Sequence, residues 1–235
     1  GSMKLAIMQP YFFPYIGYYQ LVAAVDVFVI YDNIKYTKKG WINRNRFLRN
    51  GKEVTFSLPL KKGSDSLNIV ERKLSDDFNR TKLLNQFKGA YSCAPYFAQT
   101  FSLLERIIYY EDNNLFRYIH YSLMEICSYL EINTEIRVSS GIGIDHNLKS
   151  QDKVIALCQA MCADTYVNAI GGVALYSRSY FKKYDIDLKF INARQLKYSQ
   201  FDTEFMPWLS IIDMLMFNSQ DEVCNLVSKY NLTGK

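Results

Sequence analysis

The chain has 235 residues, 49% of them hydrophobic and 22% charged, with a net charge of +5. That balance belongs to a globular protein with a core and excludes a disordered chain. The longest apolar runs, such as Leu21 to Ile30 with Asp26 inside it, are too short to span a bilayer, so no membrane insertion is expected.

Gly1-Ser2 ahead of Met3 reads as a cloning scar, and no signal peptide precedes the first apolar run, so a cytoplasmic protein is expected. The five cysteines are an odd number, which suits free thiols in a reducing compartment. Cys158 and Cys162 lie four apart, a poor zinc spacing, and His120 and His146 are the only histidines, so no metal site is expected. The length suits one α/β domain over 3–235.

In chain order, Lys4 to Met8 reads as a buried strand, Gly17 to Val25 as a helix and Val27 to Tyr31 as a second buried strand. This βαβ opening implies parallel strands and a right-handed crossover. Asp32 to Lys62 is polar, basic and aromatic. Within it Arg44 to Leu48 and Val54 to Leu60 read as a hairpin turned at Asn50-Gly51. From Asp77 to Leu130 apolar residues recur at helical spacing in three stretches, parted by Pro95 and Asp112-Asn113-Asn114. The region 77–132 is therefore expected as a helical block. Strand character resumes at Glu135 to Ser139. A helix follows over Ser150 to Cys162, then a strand over Thr165 to Val167, a turn at Gly171-Gly172, a helix ending at Lys182–Tyr184 and a strand over Leu188 to Ile191. A last helix covers Ser210 to Phe217, with Ser210 as N-cap. The expected fold is a mostly parallel, Rossmann-like sheet interrupted by the helical block.

Three loops collect the residues suited to chemistry. In the first, Gln9 to Tyr18, Pro10 and Pro14 stiffen the backbone, and Gly17 opens a helix whose free N–H groups favour a phosphate. Tyr15 and Tyr18 add aromatic contacts there; the structural alternative is a rigid loop plugging a core. In the second, Asp32 ends a buried strand and can hold an amine, a ribose hydroxyl or magnesium. Beyond it, Lys38 and Arg44 can neutralise phosphate, Asn43 and Asn45 can donate and accept, and Tyr36 and Trp41 can stack. The basic stretch Lys35 to Arg49 suits a small phosphorylated ligand better than nucleic acid, because it is one segment and not a face. In the third, Ser139 to Lys153, Lys149 and Lys153 can close over phosphate and His146 can act as acid or base. An ordinary strand-to-helix loop capped by Ser150 is the plainer alternative, since no phosphate-loop pattern is present.

At Gln9 to Tyr18 and Asp32 to Arg46 the sequence resembles the WbqC-like protein family, and Asp152 to Asn168 and Phe205 to Asn218 resemble that family's C-terminal half. Asn33 and Lys35 depart from the acidic residue and Gln expected there. The resemblance implies a role in O-antigen or related surface-polysaccharide assembly: transfer of an amino acid, glycine first, to the amine of a nucleotide-linked amino sugar. A non-catalytic nucleotide-sugar binding protein is the alternative. Asp32, with His146 behind it, is then the candidate base. Gln9, Pro10, Tyr15, Gly17, Tyr18, Tyr36, Lys38, Trp41, Asn43, Arg44, Asn45, Lys149 and Lys153 are the candidate ligand contacts. ATP with magnesium, or an aminoacyl-tRNA, would supply the activated donor. The strand, Pro-bearing loop and helix-opening Gly also resemble the HxGH region of nucleotidylyltransferases and pantothenate synthetase, with Tyr15 and Tyr18 in place of both histidines. Positive charge would then have to come from Lys38, Arg44 or Lys149.

Overall fold

Lys4–Met8 forms the first strand, β1, and its central residues are enclosed from both sides. The computed structural model describes residues 2–169, 176–192 and 194–234; the turn expected at Gly171-Gly172 lies outside them. After β1, helix α1 (Ile16–Ala23) crosses to β2 (Val27–Ile30), every residue of which is buried. A strand buried on both faces reads as a continuous apolar run, which is how V-F-V-I reads. The hairpin β3 (Arg44–Arg49) and β4 (Lys52–Ser57) turns at Asn50 and Gly51, both with positive φ (52° and 75°), as the Asn-Gly pair demands. Its second arm stops at Ser57, short of the expected Leu60, because Pro59 cannot donate to a ladder.

The helical block is present as α2 (Arg80–Tyr91), α3 (Phe97–Ile108) and α4 (Leu115–Tyr129), with Asn79 and Asn114 as side-chain N-caps on α2 and α4. Then come β5 (Glu135–Val138), α5 (Ser150–Ala160), β6 (Thr165–Ala169), α6 (Arg178–Lys182) and β7 (Asp187–Asn192). The chain closes with α7 (Ile211–Phe217), α8 (Gln220–Val227) and β8 (Asn231–Thr233). Ser210 caps α7 through Ile212 N, as its sequence suggests. Helix α5, by contrast, ends at Ala160, two residues early, with Cys162 at φ 58°. Its N-cap is Lys149, without a side-chain bond, and Ser150 stands inside the first turn and is no cap.

Among the described residues the main sheet has the order β5-β2-β1-β6-β7-β8, parallel throughout except for the β7–β8 pair. This is the Rossmann-like arrangement that the βαβ opening implies. Alternation along the strands divides the core in two. Ala6, Phe28 and Ile30 face α1, α7, α8, the hairpin and the helical block. Leu5, Ile7, Val27 and Val29 face α5 and α6. The crossover from β1 to β2 therefore covers one face, and those from β5 to β6 and β6 to β7 cover the other. The strand order reverses between β1 and β6, and it is outside the carboxyl ends of such a pair that open α/β sheets hold ligands.

Candidate functional site

A cavity of about 380 Å³ opens at that reversal. Met8, Ala169 and Ile191, at or next to the ends of β1, β6 and β7, form its floor, and Gly17 of α1 lines it. Its size falls in the range of small-molecule sites. The loop leading into α1 sorts its aromatic residues by role. Phe12 and Phe13 are fully buried and pack on Phe56, so they plug the core. Tyr11, Tyr15 and Tyr18 line the cavity. The Tyr18 hydroxyl donates to the Gln9 carbonyl at 2.8 Å and the Tyr15 hydroxyl to the Arg194 carbonyl at 2.9 Å. Burial raises the pKa of all three phenols, so each stays neutral at physiological pH. Pro10 is buried beside them.

Two indole rings complete the wall. Trp41 lies under the guanidinium groups of Arg44 (5.4 Å) and Arg46 (5.0 Å), and Trp208 meets Tyr15 edge-on at 5.0 Å. Arg44 donates from Nε to Gly40 O (2.9 Å) and from Nη2 to Lys39 O (3.0 Å); it braces the loop and does not line the cavity. Arg46, two residues along β3, does line it. Its Nη1 pairs with Glu53 at 3.1 Å, its Nη2 donates to Trp208 O at 3.0 Å, and its buried Nε has no partner among the described residues. Asn45 lines the cavity too; its Oδ1 accepts from Arg46 N at 2.9 Å.

The remaining expected contacts fall into two other places. Tyr36, Lys38 and Asn43 line a separate cleft, where the Tyr36 hydroxyl donates to Asn43 Oδ1 and Asn43 Nδ2 to Leu58 O, both at 2.8 Å. Asp32, His146, Lys149 and Lys153 gather beyond the ends of β2 and β5. The buried Asp32 carboxylate accepts from Ser139 Oγ and Ser140 N, each at 3.0 Å, and from Ser140 Oγ. His146 Nε2 donates to Ile142 O at 2.9 Å, which leaves Nδ1 to accept from Asn33 Nδ2 at 3.0 Å. Lys153 is buried with Nζ 5.0 Å above the Tyr31 ring; burial lowers its pKa and the Asp32 charge partly restores it. Lys149 is exposed. The three expected loops thus lie along one end of the sheet, the first two tied by the bond from Tyr31 N to Met8 O (3.0 Å) and the last two by the bonds of Ser139 and Ser140 to Asp32, but they do not form one pocket.

Arg46, Tyr11 and Trp208 are site residues that sequence reasoning passes over. The sequence signal for Trp208 was a rare tryptophan directly after Pro207; in the structure it takes φ 61°. The segment carrying it is held by Asp213, a fully buried carboxylate bonded to Tyr91, Tyr198 and Gln200.

Among the described residues no helix is long and apolar enough to cross a membrane. No solved structure matches the chain. It is 29% identical over 217 residues to the uncharacterized protein Rv1507c of Mycobacterium tuberculosis, an alignment covering 90% of this chain and 92% of that protein. The model of the WbqC-like protein family matches residues 9–224, from the loop that enters α1 to within α8. The chain belongs to the WbqC-like protein family.

Proposed function

We propose that the protein is a transferase of bacterial surface-polysaccharide (O-antigen) assembly that holds a nucleotide-linked amino sugar in the aromatic cavity and adds an amino acid, glycine first, to its amine. The observation that carries this reading is the cavity at the strand-order reversal, walled by Tyr11, Tyr15, Tyr18, Trp41 and Trp208. Flat apolar walls suit a base or the apolar face of a sugar ring. Arg46 and the first N–H groups of α1 supply positive potential for the pyrophosphate link.

Amide formation from a free carboxylate is uphill in water, so the donor must be activated, either as an aminoacyl-tRNA ester or as an acyl-adenylate made with ATP and magnesium. The neutral amine attacks the acyl carbon, the C–N bond forms, and the bond to the leaving oxygen breaks. The proton released from nitrogen goes to a base. In this reading Asp32 is that base, with His146 the alternative, and Lys149 and Lys153 balance charge on the leaving group.

One observation favours a second reading, a non-catalytic nucleotide-sugar binding protein. Asp32 and both ring nitrogens of His146 are engaged in internal hydrogen bonds, and no carboxylate or imidazole lines the cavity among the described residues. The deciding experiment incubates the protein with dTDP-linked amino sugars and either glycine, ATP and magnesium or glycyl-tRNA, and reads products by mass spectrometry. A glycyl increment on the sugar nucleotide supports the transferase. Tight binding with no increment across a panel of sugars and donors supports the binding protein. Full activity in Asp32→Asn would remove Asp32 from the mechanism and leave the reaction class intact.

A further inference from the structure

The cleft holding Tyr36 and Lys38 carries an unanswered charge. Arg72 is only 6% exposed, yet no carboxylate lies within ion-pair distance of it among the described residues. Its guanidinium lies 4.9 Å from the Tyr36 ring centroid, and among the described residues its only hydrogen bond runs from Nη2 to Lys61 O at 3.4 Å. Arg72 faces a cleft of about 570 Å³ that Lys38, Lys61 and Lys62, all exposed, also line. Asp76 answers one of these charges, pairing with Lys61 at 3.1 Å in solvent. Gly63 lets the chain close over the guanidinium: a Cβ there would come within 3.3 Å of Arg72 Nε. The guanidinium nitrogens without a protein partner among the described residues open onto the cleft, so an anion that enters it can reach them.

We propose that this cleft is an anion site for a small molecule bearing a pyrophosphate group. The buried guanidinium would take one phosphate through its planar fork, and the lysines at the mouth would take the other. With Lys61 answered by Asp76, Arg72, Lys38 and Lys62 remain, and a single phosphate, with about two negative charges at most, leaves one of them unmet. An extended nucleic-acid backbone suits a basic face, whereas here the charges ring one cleft with an arginine at its base. The cleft shares no lining residue with the aromatic cavity, so the inference stands apart from the proposed function.

Isothermal titration calorimetry of the full chain with inorganic pyrophosphate tests it, with orthophosphate and a single-stranded RNA oligonucleotide as comparisons. Pyrophosphate is expected to bind about tenfold more tightly than orthophosphate, and Arg72→Met to weaken it by about tenfold or more, the usual scale for charged hydrogen bonds. Lys38→Ala with Lys62→Ala, both at exposed positions that folding does not need, should weaken it several-fold. That pair decides the matter if Arg72→Met fails to fold. No binding of pyrophosphate to the wild type, or unchanged affinity in the folded lysine variant, overturns the proposal. So does RNA binding that pyrophosphate does not displace.

Discussion

Replacing Asp213 with Asn should cost stability out of proportion to a change of one atom. The carboxylate is fully buried; Oδ1 accepts from the Tyr91 hydroxyl (2.8 Å), and Oδ2 accepts from both the Tyr198 hydroxyl and Gln200 Nε2 (2.7 Å each). An amide keeps one acceptor. If Nδ2 takes the Oδ1 position, the Tyr91 hydroxyl, which already accepts from Leu48 N at 2.9 Å, faces a second donor and its own proton is left without an acceptor. If it takes the Oδ2 position it confronts Gln200 Nε2, which cannot turn over because Gln200 Oε1 accepts from Met206 N at 2.6 Å. Either way a buried donor loses its acceptor, worth about 1–3 kcal/mol. For a chain of this size that is roughly 2–4 °C of melting temperature per kcal/mol.

The deficit should also depend on pH. Burial raises the Asp213 carboxyl above its ordinary 3.8, against the lowering pull of Tyr198, Tyr91 and Gln200. A raised carboxyl favours the protonated form in the fold. Its contribution is therefore fully present below the unfolded value and is lost as pH rises through the folded one. The variant lacks this titration, so its deficit against the wild type should shrink as pH rises from about 4. Urea unfolding at a series of pH values measures both effects. A folded Asp213→Asn within about 0.5 kcal/mol of the wild type, the scale of a neutral surface change, would refute the network argument.

Arg46→Met should weaken nucleotide-sugar binding by about tenfold, while Arg44→Met, which breaks a loop brace, should weaken it less; calorimetry that ranks them the other way would restore Arg44 as the phosphate contact. Cysteine reactivity should follow burial. Cys93 and Cys162 are exposed and should react with a thiol reagent in the native state. Burial pushes the Cys127 and Cys158 thiols up to about 12, so they should react only on unfolding; Cys224 is half-buried, and fast reaction of Cys127 or Cys158 would contradict the core packing.

Much of this architecture is legible in the sequence because the signals are local. The alternation and apolar runs of β1 and β2, the helical spacing of α2 to α4 and the Asn50-Gly51 turn need no tertiary knowledge. Helix α8 carries signs that the expected elements, which end at Phe217, leave unused: Val223, Leu226 and Val227 at helical spacing, and a capping box of Ser219 with Glu222. β8 has three residues and exists only as the partner of β7.

The site divides in the same way. The loop into α1 announces itself by its prolines and aromatic residues, and three of its tyrosines do reach the cavity. Which arginine of the hairpin lines it is not local information. Arg44 and Arg46 share a strand face and both lie on Trp41, but the chain folds the Gly40 and Lys39 carbonyls onto one and the Trp208 carbonyl onto the other. Arg72 carries no motif at all, and its isolation emerges only when Tyr36 and Gly63 close around it.

If the nucleotide-linked sugar occupies the aromatic cavity, the chain carries its own probe of it. It has two tryptophans, Trp41 and Trp208, and both line that cavity. Titrating the protein with a dTDP- or UDP-linked amino sugar while following intrinsic tryptophan fluorescence should give a saturable change whose midpoint matches the calorimetric affinity, with Trp41→Phe and Trp208→Phe each removing part of it. Calorimetric binding that leaves the emission of both tryptophans unchanged would place the ligand elsewhere and contradict the account.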